Sequence, residues 1–132
     1  MTLHGYALAP GASLHDIDMG AGSVLSPLHV HDAEDEVVVV LEGRLSCRVG
    51  NETGGLDAGG LLWFPRAVPH AIANHSGRPC RFLTMVTPSG IEDFFRAQGD
   101  YLASLEPGAS PDPGRLASVA GAGTRRVVGP PL

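Results

Sequence analysis

Short apolar runs punctuated by glycine and proline dominate residues 21–88. Glu36 leads into Val37-Val38-Val39-Val40-Leu41, a β-branched run closed by Glu42-Gly43. Leu45-Ser46-Cys47-Arg48-Val49 alternates apolar and polar residues, with the period of two expected of a half-exposed strand. Leu61-Leu62-Trp63-Phe64 stops at Pro65, His70 to Asn74 is broken by Ser76-Gly77-Arg78-Pro79, and Cys80 to Thr87 stops at Pro88. Ala21 to Leu28 reads as extended, Gly50 to Gly55 as a turn and Gly59-Gly60 as another. Many short strands joined by tight turns predict an all-β sandwich or barrel.

The spacing changes after Pro88. Ile91 to Ala97 has helical periodicity that can extend to Ser104, with Ser89 as N-cap and acidic residues in the first turn. Glu106 to Gly114 reads as a loop, Arg115 to Ala120 as one or two helical turns, and Gly121 to Leu132 as irregular. The expected organisation is a β-barrel over 1–88, with a C-terminal helix and irregular tail over 89–132 packed on the same domain. The run Val37 to Leu41 is apolar at every position, so both its faces need cover. One face can line the core. The other calls for a second sheet, the helix or a second copy of the chain, and a homodimer is the expectation.

Composition narrows the function classes. At 132 residues one domain is expected, and folding such a chain hides roughly two-thirds of its unfolded surface. A hydrophobic fraction of 43% argues against disorder. No apolar run approaches the roughly 18 residues of a membrane span, and the N-terminus lacks signal-peptide features, so a cytoplasmic protein with no membrane partner is expected. The formal net charge is −5 with nine Lys and Arg, which form no basic stripe for nucleic acid. Cys47 and Cys80 stand apart in apolar segments, outside any CxxC spacing, and read as buried free thiols.

The candidate chemistry lies in His29-Val30-His31, Glu36 and His70. Residues two apart on a strand share a face, so both imidazoles of the pair can point inward. Glu36 has the parity of Val38 and Val40, and a carboxylate in such an inward row needs a cation to justify burial. His70 arrives from another strand. Taken singly, each residue reads equally well as a surface or core side chain. Together they are the N₃O donor set of a transition-metal site, leaving about two positions open on an octahedral ion. Ligand type does not separate Fe, Mn, Ni, Co, Cu and Zn as the one divalent cofactor.

These residues resemble the two motifs of the cupin superfamily. In the first, G-x5-H-x-H-x(3,4)-E-x6-G, His29, His31, Glu36 and Gly43 match in register, while Gly22 stands one residue too far upstream. In the second, G-x5-P-x-G-x2-H-x3-N, Gly59, Pro65, His70 and Asn74 match, and Ala67 replaces the internal glycine. The resemblance implies a double-stranded β-helix (cupin or jelly-roll) barrel whose metal ligands are His29, His31, Glu36 and His70. More narrowly, Pro27 to His31, Phe64 to His70, Thr87 to Phe95 and Val128 to Leu132 look like phrases of the small quercetin-dioxygenase-like cupins.

The remaining residues carry blander expectations. His4, His15 and His75 read as exposed or loop histidines, with His75 a candidate for the pocket rim. Trp63, Phe64, Phe82 and Met85 read as core. Phe94 and Phe95 pack the helix on the barrel or form a lid over the pocket. Arg44 and Arg66 read as solvated turn residues, and the acids from Asp32 to Asp35 as a solvated turn.

Three functions compete. The first is a metal-dependent dioxygenase-type oxidoreductase acting on a small flavonol, enol or diketone-like substrate, with Glu36 as catalytic proton acceptor. The second is a non-redox cyclase or isomerase of polyketide- or sugar-like substrates. The third is a small-molecule binding domain without turnover.

Overall fold

Two five-stranded antiparallel sheets face each other across one apolar core. The computed structural model describes residues 2–9, 11–23, 26–112, 114–115 and 124–132, without the side chains of 2–9 and Glu92. The strands are β1 (Thr2–Ala9), β2 (Ala12–Met19), β3 (Pro27–His31), β4 (Asp35–Glu42), β5 (Arg44–Val49), β6 (Glu52–Asp57), β7 (Leu61–Phe64), β8 (His70–Ala73), β9 (Cys80–Thr87) and β10 (Arg125–Pro131). The helix α1 (Glu92–Ala103) follows β9, and Gly114 and Arg115 are also helical. The first sheet runs β1-β2-β9-β4-β7 and the second β10-β3-β8-β5-β6, giving the all-β barrel with a helical appendage that the sequence predicts.

Period-two alternation sets what faces the core. Ile17 and Met19 on β2, Val38 and Val40 on β4, Phe64 on β7 and Phe82 and Val86 on β9 point inward and are essentially solvent-free. The second sheet adds Leu45, Cys47 and Ile72. Cys47 and Cys80 are buried free thiols, as expected, and burial pushes the Cys47 thiol up to about 11, away from reactive thiolate. At the β4–β5 turn Gly43 has φ 81°, and a Cβ there would meet the Pro79 carbonyl at 2.5 Å, so only glycine fits.

Several expectations are corrected. Ala21-Gly22 forms a turn, and the extended segment starts at Pro27. Residues 52–55 are not a turn but belong to β6, which pairs with β5. α1 starts after Ile91 without a side-chain cap, so Ser89 is not its N-cap. The tail expected to be irregular contains β10, hydrogen-bonded to β3. Proline is tolerated there because β10 is an edge strand, with one side free of ladder bonds. Of the helical turns expected over 115–120, all but Arg115 lie outside the described residues.

Trp63 and Met85 are not core either. They lie opposite Val37 on the outward face of the first sheet, 57% and 39% exposed, in one row with Leu14. His75 is exposed, as expected. His15 is not: it sits inward on β2, fully buried, 3.0 Å from the Ser13 hydroxyl and packed on the Phe95 ring. Among the described residues no helix is long and apolar enough to cross a membrane.

Candidate metal centre

The second sheet brings three imidazoles together by backbone pairing alone. His29 on β3 lies directly opposite His70 on β8, and His31 follows two residues along the same face. Glu36 arrives from the first sheet, opposite Phe64 and Val86, in the inward row of Val38 and Val40. One donor atom from each of the four residues lies within 4.8 Å of all the others, and all four residues are buried.

Backbone and side-chain partners fix the orientation of the donors. His29 Nδ1 is 2.8 Å from the Pro27 carbonyl, and His70 Nδ1 is 3.3 Å from the Val68 carbonyl. A carbonyl only accepts, so both Nδ1 atoms carry a proton, and Nε2 is the ring atom of each left to face the site. Thr84 donates to Glu36 Oε1 at 2.7 Å, leaving Oε2 to face the imidazoles, 3.2 Å from His70 Nε2 and 3.7 Å from His31 Nε2. Phe64 stacks flat on His70, with ring centroids 4.5 Å apart and planes 3° from parallel.

The electrostatics suit a cation. Burial, reinforced by His70 and Arg125, holds His29 down to about 2, and burial lowers His31, so both are neutral at pH 7. Burial pushes Glu36 up, but the hydrogen bond from His70 and the charges of His70 and His31 outweigh it and hold the carboxyl at about 2. Glu36 Oε2 and His70 Nε2 thus stand at hydrogen-bond distance, 3.2 Å apart. Such a pair is repulsive unless a proton or a metal ion lies between them. Two donors about 2.1 Å from one ion and at right angles around it stand about 3 Å apart, close to the observed separation. The residues fit a divalent transition metal.

The segment around α1 covers part of the site. Phe94, Phe95 and Gln98 of α1, with Ile91 just before it, join Phe64 and Ile72 around a cavity of about 20 Å³. That space holds an ion or a water-sized ligand and little more. The lid alternative for Phe94 and Phe95 therefore describes their placement, although both also pack α1 on the core. A larger cavity of about 220 Å³ lies at Cys47, Val49, Leu56 and Leu62, and it contains no group of metal-ligating side chains.

Two of three further contributors, Thr84 and Arg125, were not picked out from the sequence, whereas Asn74 was, as a motif residue. Thr84 is a polar residue in the inward row of Phe82 and Val86, a signal that parity could have shown. Asn74 is structural: its amide donates to the carbonyls of Met19, Gly20 and Arg78. Arg125, at the start of β10, lies opposite His31 and lines the pocket. The acids after His31 are clamps rather than a solvated turn. Asp32 pairs with Arg126, Asp35 with Arg66, and buried Glu34 accepts from the Thr124 amide and hydroxyl. Arg44 likewise pairs with Asp57.

Residues 15–86 match the family model described as the cupin domain. The chain belongs to the cupin family. No curated protein matches this cupin significantly. Among solved structures it is similar to TT1209 from Thermus thermophilus, at 28% identity and a TM-score of 0.58, over 62% of this chain and 77% of that one. It is also similar to a putative sugar phosphate isomerase from Acidithiobacillus ferrooxidans, at 25% identity and a TM-score of 0.56, over 61% of this chain and 52% of the isomerase. An oxalate oxidase shares the fold at 20% identity and a TM-score of 0.53, with 59% of this cupin aligned to 42% of the oxidase.

Proposed function

We propose that this cupin is a metal-dependent oxidoreductase of dioxygenase type, acting on a small oxygen-rich organic molecule. The observation that carries the reading is the buried convergence of His29, His31, Glu36 and His70, with ring nitrogens and a carboxylate oxygen brought to one place beneath α1. A divalent ion held there supplies Lewis acidity and, where it is redox-active, electron exchange. Four protein donors leave about two positions for exogenous oxygens. The resemblance to quercetin-dioxygenase-like cupins supports the oxidative version.

The chain's own residues then have distinct tasks. Burial holds His29 and His31 as neutral donors, and the Pro27 and Val68 carbonyls orient the rings of His29 and His70. Glu36, steadied at Oε1 by Thr84, offers Oε2 to accept a proton from an enolisable substrate. Phe64, Ile72, Phe94 and Phe95 keep water from the reacting groups. Drug-sized ligands occupy pockets of about 300 Å³ or more. A flavonol therefore needs α1 to swing away, whereas an enol or diketone of a few heavy atoms needs only a small displacement.

The test is metal analysis of the purified protein followed by oxygen uptake with enols, diketones and flavonols on the Fe, Mn, Ni, Co, Cu and Zn forms. Substrate-dependent uptake with one or more redox-active ions is expected. A flat trace with every ion and substrate favours the second reading, a non-redox isomerase, which the similarity to a putative sugar phosphate isomerase supports.

The same reading includes a homodimer. The outward row of exposed Leu14, Met85 and Trp63 with half-buried Val37 crosses four strands of the first sheet and suits a second copy of the chain. Sedimentation at micromolar concentration is expected to show a dimer, and a stable monomer overturns this part.

A further inference from the structure

Arg125 and Arg126 are neighbours with opposite fates. Arg126 is 60% exposed and grips Asp32 with two hydrogen bonds, 2.9 and 3.1 Å. Arg125 turns inward beside His31 and lines the metal pocket. Its guanidinium carbon lies 4.6 Å from the centroid of the Phe94 ring. Stacking uses the flat face of a guanidinium and leaves its in-plane N–H donors unspent. Among the described residues no carboxylate lies within ion-pair distance of Arg125, whereas Arg44, Arg66, Arg81, Arg96 and Arg126 each have an aspartate. Burial holds its pKa down to about 10, so it remains a cation at neutral pH.

The position is built rather than incidental. Thr124 on one side is held by Glu34 through its amide and hydroxyl, and its hydroxyl also accepts from the Ala33 amide at 3.0 Å. Arg126 on the other side is held by Asp32. Clamping both neighbours to the turn that follows His31 fixes which side chain of β10 enters the pocket. With an ion bound, Glu36 is the one carboxylate at the site, facing neutral imidazoles, a divalent cation and Arg125. The site then carries excess positive charge, and half-buried Arg125, lining the pocket with no carboxylate within ion-pair distance among the described residues, is placed to meet an anion there.

We propose that Arg125 is the anion-recognising residue of this pocket, and that the substrate is a small carboxylate whose neighbouring oxygen reaches the metal. This rests on the reading of His29, His31, Glu36 and His70 as metal ligands. It narrows the substrate from any oxygen-rich molecule to an acid of a few heavy atoms, which the pocket admits with only a small displacement of α1.

Calorimetric titration of the Zn-loaded protein tests it, with glycolate as the charged probe and hydroxyacetone as its uncharged counterpart. The wild type is expected to bind glycolate more tightly than hydroxyacetone. Arg125→Gln is expected to keep its zinc stoichiometry and to weaken glycolate about 10- to 100-fold, the usual range for charge-assisted hydrogen bonds, leaving hydroxyacetone unchanged. Arg125→Lys, which keeps the charge and loses the planar fork, is expected to fall between the two. Equal glycolate affinity in wild type and Arg125→Gln, no preference for glycolate over hydroxyacetone, or no glycolate binding by the wild type overturns the proposal.

If the wild type takes up no zinc, the metal reading fails, and the same titrations on the metal-free protein still decide the role of Arg125. Loss of glycolate affinity in the Gln variant supports the role, and equal affinity overturns it. Should Arg125→Gln fail to fold, the Arg125 Nε–H resonance of the wild type decides. A shift with glycolate and not with hydroxyacetone supports recognition, and an unmoved resonance overturns it.

Discussion

The two sheets contribute unequally to the candidate metal centre. The second sheet supplies three imidazoles and Arg125 from strands paired side by side, so strand register sets their mutual positions. The first sheet supplies Glu36 alone, and its distance from the imidazoles depends on how the two sheets pack. Local pairing builds the imidazole trio, while tertiary packing delivers the carboxylate. The pocket is therefore also a gauge of sheet-to-sheet distance, and α1 seals the same seam.

Removing a donor from each side is the strongest way to break this contrast. His31→Ala is expected to lower metal affinity at least 100-fold and bring bound metal close to zero in elemental analysis, since a ligand from the pre-set trio is lost. Glu36→Gln keeps the shape and removes the charge, and about a tenfold loss is expected. An unchanged metal content in the His31 variant removes it from the ligand set. A larger loss from Glu36→Gln than from His31→Ala reverses the division of labour between the sheets.

Acid should separate the sheets next. His29, on the second sheet, has a folded pKa well below that of the unfolded chain, so the unfolded state binds its proton first. Stability of the metal-stripped protein is complete above about pH 6.5 and declines as pH falls. Between pH 7 and 5, His29 alone accounts for about 2 kcal/mol, read as a lower urea midpoint. Glu36, on the first sheet, also has a lowered folded pKa, and its contribution is lost only below its unfolded value, in the window from about 4.5 down to about 2. A urea midpoint that stays constant from pH 7 to 5 contradicts the burial of a neutral His29.

The smallest expected effect lies in the turn that joins the sheets. Ala67 has φ 62°, and its amide donates to the His31 carbonyl at 2.7 Å. A left-handed alanine is strained by about 1 kcal/mol or more, partly offset by the extra unfolded-state entropy of glycine. Ala67→Gly is expected to stabilise the fold by less than about 1 kcal/mol in denaturant melts, with metal content unchanged.

Most of the barrel is legible in the alternation and turn residues from Glu36 to Thr87. The buried cluster that could hold a metal is legible because a strand places His29 and His31 on one face, and because Glu36 breaks an apolar inward row. β2 was hidden because its inward positions include Ser13 and His15, which blur the alternation. β10 was hidden because Gly129, Pro130 and Pro131 read as strand breakers, and only its edge position removes that objection. Trp63 and Met85 illustrate a different gap. Hydrophobicity says that a side chain prefers cover, but the strand register decides which face it occupies. Arg125 was hidden for the same reason, since nothing in the pair Arg125-Arg126 says which one enters the barrel.

The pairing of β10 with β3 also has a consequence in time. Asp32 and Arg126, which clasp the two strands, lie 94 residues apart. At roughly 5 to 20 residues per second, a ribosome needs about 5 to 20 s to reach β10 after making the histidine strand. During that interval β3 has no neighbour on that side, and a bare strand edge invites pairing with other chains. The last strand to emerge is thus the one that protects the histidines and delivers Arg125 beside them.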